Sequence, residues 1–169
     1  MFEQIKPVTH LLGLVGDAIT ASFTPPIHEM IGHAMGMGVA YRPIDLAKLD
    51  IGPDDLADIL AWANRFGFSG LNITAPCKQR VIALLDELSE RATALQAVNT
   101  VVFHEGRAIG HNTDWCGFVH SFQRNLPDAR AEQIVLMGAG GAGSAVAYGM
   151  LDSGVQRLTI FDIVPERRD

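Results

Sequence analysis

Six residues, Gly138-Ala-Gly-Gly-Ala-Gly143, restrict the fold of this chain more than any other stretch. An apolar run, Gln133 to Met137, ends at the first glycine and reads as a fully buried strand. An alanine-rich helical pattern starts at the second glycine. A further strand-like run, Arg157 to Phe161, closes on Asp162, nineteen residues after Gly143. Strand, glycine turn, helix, strand and acid in that order predict a βαβ unit. Gly138 permits a tight turn, Gly140 lets a ligand approach the backbone, and Gly143 brings helix and strand close.

The same order is the fingerprint of a dinucleotide site. Helix N–H groups behind such a turn hold a pyrophosphate. The predicted cofactor-binding residues are Gly138, Ala139, Gly140, Gly141, Ala142, Gly143 and Asp162. A glycine-rich turn with no ligand is the plain alternative, and the four elements in sequence weigh against it. A carboxylate at the second strand end accepts from ribose hydroxyls and repels a 2′-phosphate, which favours NAD over NADP. Arg167 and Arg168, a few residues on, argue the other way.

From Gly138 to Asp169 there are 32 residues, about one βαβ unit. A mononucleotide half-site needs about three parallel strands and a whole dinucleotide fold about six. A two-stranded piece leaves apolar faces and edges uncovered. The sequence therefore reads as a truncated chain or a fragment of a longer protein. Residues 1–120 are expected to form one domain and residues 121–169 the first part of another.

Upstream, His10–Gly16, Val39–Leu46 and Phe68–Thr74 read as strands. A helix is predicted after Pro25-Pro26, another from Gly52-Pro53-Asp54-Asp55 to about Phe66, and a third from Pro76 to about Leu85. Val98–Phe103 and Arg107–Gly110 form a hairpin through His104-Glu105-Gly106. Trp115 to about Asn125 reads as a helix, and Leu126–Glu132 as a linker. Strand–helix alternation predicts an α/β fold with parallel sheets.

Composition removes several function classes. Thirteen basic and nineteen acidic residues give a net charge of −6, so no chain-wide footprint for nucleic acid exists. No apolar run reaches membrane-spanning length. Glu3, Lys6 and Asp17 break up the N-terminal stretch, which argues against a signal peptide and leaves the cytoplasm as the expected setting. Cys77 and Cys116 lie far apart and read as reduced thiols. No metal site is expected: His28 and His33 are five apart on one helix, and the other histidines are scattered.

Five features place polar groups at strand ends. Ser22 and Thr24 lie in Ala-Ser-Phe-Thr-Pro-Pro, where an extended backbone would point both hydroxyls the same way. Asn72 and Thr74 share a side at the end of a parallel-type strand, where α/β ligands bind. Lys78, one of only three lysines, follows in the expected first turn of a helix, where capping does not explain it. Asn99 opens an apolar strand, and Asp114 precedes a helix. Each has a plain reading, such as turn, N-cap or solvated surface. Together they suit a polyol ligand.

Gly13-Leu-Val-Gly-Asp17, Ser22-Phe-Thr-Pro25, Gly70-Leu-Asn-Ile-Thr-Ala-Pro-Cys-Lys78, Ala97-Val-Asn-Thr-Val-Val102, Gly110-His-Asn-Thr-Asp114 and the glycine cluster occur in one order. In these motifs, from about residue 11 onward, the chain resembles the shikimate dehydrogenases. The resemblance implies a three-layer α/β substrate-binding catalytic domain, then a partial, truncated Rossmann domain, with a cleft between them. It implies a catalytic pair, Lys78 and Asp114, and substrate-binding roles for Ser22, Thr24, Thr74 and Asn99. Thr24, Cys77 before Lys78, Trp115 after Asp114, and Asp162 are similar to the NAD-linked quinate/shikimate branch. The family supplies a substrate-contacting glutamine and the remaining nicotinamide pocket from a segment with no counterpart here.

The expected reaction is reversible oxidation of one ring hydroxyl of quinate or shikimate, giving 3-dehydroquinate or 3-dehydroshikimate. The alternatives are a biosynthetic NADP-dependent shikimate dehydrogenase and a non-catalytic quinate/shikimate-binding module. A tetrahydrofolate-type dehydrogenase is disfavoured by the Ser-Phe-Thr-Pro and Asn-Thr-Asp motifs. A homodimer is held open for the longer protein.

Overall fold

A computed structural model describes residues 9–129 and 131–164. Strands β1 (Thr9–Gly16), β2 (Gly38–Asp45) and β3 (Phe68–Ile73) form where the apolar runs predict them. Helix α1 (Thr24–Ala34) starts at the paired prolines, whose fixed φ suits a first helical turn. One turn of helix, α2 (Leu46–Leu49), follows β2. A 3-10 turn over Pro53–Asp55 leads into α3 (Leu56–Arg65), and the Asp55 carboxylate accepts from the Gly52 N–H at 2.8 Å. Next come β4 (Glu87–Leu88), α4 (Glu90–Leu95), and the hairpin β5 (Thr100–His104) and β6 (Arg107–His111). Helix α5 (Asp114–Asn125) leads to β7 (Gln133–Met137), α6 (Gly141–Asp152) and β8 (Arg157–Phe161). Arg167 and Arg168 lie outside the described residues.

The first sheet has the order β2-β1-β3-β5-β6-β4. β1 is parallel to β2 and to β3, whereas β5 is antiparallel to both β3 and β6. The sheet is therefore mixed, not parallel throughout, because a two-residue turn can only join antiparallel strands. Alternate residues of one strand face opposite sides. Val15, Leu71, Ile73 and Val101 join Leu46, Leu56, Leu60 and Ala92 in one core. Leu12, Leu14 and Tyr41 form a second, smaller cluster on the other face, with Ile19. A Cβ at Gly32 of α1 would press on Val39 of β2, on the same side as Tyr41. The result is three layers: α1, the sheet, and the α2–α3–α4 side.

β7 and β8 pair in parallel as a separate two-stranded sheet, in register Gln133↔Arg157 to Met137↔Phe161. The run expected to be fully buried is not. Val135 is 63% and Met137 85% exposed, because α6 packs on this pair and nothing among the described residues covers its other side. α6 also lies against α5. A Cβ at Gly149 would come within 2.7 Å of Val119 Cγ2 and 3.0 Å of the Trp115 carbonyl oxygen.

Two further expectations need correction. No α-helix starts at Pro76. The Lys78 carbonyl accepts from the Val98 N–H at 2.9 Å instead of from its own segment, and only a 3-10 helix, Arg80–Leu84, follows. Lys78 thus sits in a turn. The Ser22–Pro26 segment is not extended: Ser22 N–H donates to the Ile19 carbonyl, Phe23 has helical dihedrals, and Thr24 is already helical. The short elements α2, β4 and α4 were not predicted. Among the described residues no helix is long and apolar enough to cross a membrane.

Candidate active site

The C-terminal ends of β1, β3 and β6 and the start of β5 lie along one edge of the first sheet. The residues singled out from the sequence leave the sheet at that edge. Ser22 and Thr24 follow β1, Thr74 and Lys78 follow β3, Asn99 precedes β5, and Asp114 follows β6. Topology alone therefore gathers four distant segments. Backbone bonds hold the loops in place: Thr74 N–H donates to the Val15 carbonyl at 2.9 Å, and Asp17 N–H to the Ala75 carbonyl at 3.0 Å.

Lys78 Nζ lies 2.6 Å from Asp114 Oδ2, with the two side chains 18% and 29% exposed. Partial burial makes such a pair stronger than one in open water, and its short contact is that of a charge-assisted bond. Asp114 is the first residue of α5, but its carboxylate does not cap the helix. Oδ1 accepts from Asn99 Nδ2 at 2.7 Å, and the Asp114 N–H is taken by Asn112 Oδ1 at 3.0 Å. Asn112, 4% exposed, is itself anchored on the Ala97 carbonyl at 2.9 Å. Asn99 Nδ2 also donates to Thr113 Oγ1 at 2.9 Å, and Asn99 Oδ1 accepts from Thr113 N–H at 3.0 Å.

Ser22 Oγ donates to Thr24 Oγ1 at 3.0 Å and accepts from Thr24 N–H at 3.2 Å. The hydroxyls do share a side, through a turn and not through an extended strand. Cys77 is fully buried, and burial pushes its thiol up, against the nearby Arg80 charge and with that of Asp17. A buried, protonated thiol is a poor nucleophile, which argues against covalent chemistry at Cys77.

The glycine turn meets this site. A Cβ on Gly141 would sit 3.5 Å from Lys78 Cδ, so the start of α6 lies against the lysine stem. Gly138 has φ +98°, a value glycine tolerates and L side chains rarely adopt. A side chain at Gly143 would drive into the Gly138 carbonyl. The N-cap of α6 is Gly140, which has no side chain to cap with, and the first N–H groups of a helix have no partner within it. Asp162 Oδ2 accepts from Ala139 N–H at 2.6 Å and Oδ1 from Val164 N–H at 2.8 Å, so the acid ties the turn to the end of β8. A cavity of about 470 Å³ beside them is lined by Met137, Gly138, Gly140, Phe161, Asp162 and Ile163. A close-approach turn, a helix start with a glycine N-cap and an acid at the strand end fit a dinucleotide.

Another cavity, about 400 Å³, lies between α5, α6 and the linker and holds none of the predicted residues. Residues the sequence did not reveal are Arg91, Trp115 as a packing group, and Tyr148. The Arg91 guanidinium lies 5.1 Å from the Trp115 ring and 5.3 Å from the Tyr148 ring, joining α4, α5 and α6. No local spacing announces a contact among three separate helices.

Residues 14–101 match the family model described as the shikimate dehydrogenase substrate binding domain. The chain belongs to that family. It is 51% identical over 159 residues to a shikimate dehydrogenase (NADP(+)) of Pseudarthrobacter chlorophenolicus, covering 94% of this chain and 54% of that protein. It is 48% identical over 158 residues to a quinate/shikimate dehydrogenase (NAD(+)) of Corynebacterium efficiens, covering 93% and 56%. The solved quinate dehydrogenase from Corynebacterium glutamicum in complex with NAD superposes with a TM-score of 0.87 at 46% identity, covering 94% of this chain and 57% of that one. The chain thus spans about half the length of the relatives it matches.

Proposed function

We propose that this chain carries the substrate-binding catalytic half and the first βαβ unit of an NAD-dependent quinate/shikimate dehydrogenase. The proposed division is residues 1–120 as the substrate-binding part and residues 121–169 as the start of the Rossmann part, with α5 (Asp114–Asn125) running across it. The observation that carries this reading is the Lys78–Asp114 pair at 2.6 Å with the glycine turn against the lysine stem. It supports the reading because a lysine–carboxylate pair beside a dinucleotide-type turn is what alcohol oxidation needs for its proton.

The ring hydroxyl of quinate or shikimate loses its proton to Lys78, and the carbon beneath loses hydride, leaving a ketone. Nicotinamide, when bound, supplies the hydride acceptor. Lys78 accepts the proton in this direction and returns it to the substrate oxygen in the reverse one. Asp114 aims the lysine and is itself held by Asn99. Ser22, Thr24, Thr74 and Asn99 present hydroxyl and amide groups to the substrate's carboxylate and hydroxyls. Asp162, at the end of β8, favours the free ribose diol of NAD over a 2′-phosphate. A cytoplasmic setting is part of the same reading.

The relatives named for NADP make the biosynthetic enzyme the second reading. The test uses the protein expressed from its full reading frame, with quinate or shikimate and NAD or NADP, and follows the reduced-nicotinamide absorbance. NAD reduction by quinate supports the proposal. Turnover with NADP and shikimate alone supports the second reading. Quinate binding by calorimetry without reduction of either cofactor leaves only a binding module.

A further inference from the structure

Tyr41 lies on β2, yet its hydroxyl donates to Asn72 Oδ1 on β3 at 2.6 Å. β1 stands between those two strands, so the ring crosses over it, packed with Leu12 and Leu14 and 8% exposed. Asn72 Nδ2 donates to Thr100 Oγ1 at 3.3 Å, its register partner on β5. Thr100 Oγ1 donates to Asn99 Oδ1 at 3.0 Å, and Asn99 Nδ2 reaches Asp114. An unbroken polar row therefore runs from one edge strand across the α1 face of the sheet to the Lys78–Asp114 pair.

The row has one allowed sense. An ionised Asp114 only accepts, so Asn99 must present its Nδ2 there. Asn99 Oδ1 then faces the Thr113 N–H and the Thr100 hydroxyl, and Thr100 must donate. Thr100 accepts in turn from Asn72 Nδ2, and Asn72 Oδ1 needs a donor, which Tyr41 provides. Burial pushes the ionisation of that phenol far up, so the donor is always present. Without it, the Asn72 amide loses the donor that sets its sense, and Asn99 loses one of its constraints, the one from Thr100, while the Thr113 N–H still holds its Oδ1.

We infer that Tyr41, Asn72 and Thr100 are positioning residues, which act through Asn99 to hold the Asp114 carboxylate and with it Lys78. This rests on the function proposed above. In the protein from the full reading frame, Tyr41→Phe and Thr100→Val keep side-chain shape and remove one hydroxyl each. Each is expected to lower kcat about tenfold, with the KM for quinate nearly unchanged, as loss of one buried hydrogen bond implies. The double variant is expected to be no worse than the worse single one, since both cut the same row. In the 169-residue chain, the side-chain amide signal of Asn99, assigned by its loss in Asn99→Ser, is expected to shift in Tyr41→Phe. Unchanged kcat, losses that multiply, or an unmoved Asn99 signal overturns the inference. The NMR measurement does not depend on turnover. If Lys78→Ala stays active, the catalytic reading fails, while an unmoved Asn99 signal fails the relay alone.

Discussion

Lys78 and Asp114 come from segments 36 residues apart, and nothing but the fold makes them touch. If the pair moves the substrate proton, Lys78→Ala should lose about 10²–10⁴-fold in turnover, the usual worth of a positioned acid–base group. Quinate should still bind, as calorimetry would show, because the hydroxyls of Ser22 and Thr24 remain. Retained turnover would remove Lys78 from the chemistry. A second prediction concerns stability. Asp45 is 5% exposed, and burial alone would raise its pKa. The Thr20 hydroxyl and the N–H groups of Lys48, Ile19 and Ala18 outweigh that, and the carboxyl titrates below its usual range. Its folded-state pKa is depressed, so its stabilisation is present above the ordinary carboxylate range and lost as pH falls through the lowered value. The melting temperature of Asp45→Asn should therefore fall less than that of the parent on acidification. Parallel curves would exclude the effect.

Among the elements, legibility followed how local the cause was. The strands β1, β2, β3, β5, β6 and β8, and helices α1, α3, α5 and α6, were readable because apolar spacing, proline pairs and glycine turns act within a few residues. The helix expected from Pro76 failed for a tertiary reason: Val98 takes the Lys78 carbonyl. The exposure of β7 was misjudged because apolar composition reports what a strand prefers to bury, not what is present to cover it. The candidate site residues stand out as types at strand ends, whereas Tyr41 and Arg91 do not, since their partners lie on other strands and helices. Arg91 gives an element-scale prediction. It lies against Trp115 and Tyr148, and its guanidinium is 3.9 Å from Asp152. Arg91→Ala should loosen α6 from α5 and lower stability by about 1–2 kcal/mol, the sum of partly exposed cation–π contacts. Denaturant titration would measure it, and no change would show the contacts to be incidental. Gly149→Ala should act in the same direction through the clash with Val119 and the Trp115 carbonyl.

At the scale of the whole molecule, the two sheets differ in how well they are supported. The first has six strands and buried clusters on both faces. The second has two strands and leaves Val135, Met137, Phe161 and Ile163 exposed by 63%, 85%, 57% and 93%. A two-stranded sheet is marginal on its own, and here it is held chiefly through α6 and its contact with α5. Local stability tracks buried apolar contact, so opening should be cheapest where that contact is least. In hydrogen exchange, the β7 and β8 amides of the 169-residue chain should therefore exchange well before those of β1, β3 and β5. If quinate binds at the first sheet's loops as proposed, it should slow exchange around Thr74 and Asn99 and leave β7 and β8 unchanged. Because Gly141 rests on Lys78, the start of α6 is where added protection should appear outside the first sheet. Uniform protection across both sheets would mean that they unfold as one unit and that the α5–α6 contact is stronger than its composition implies.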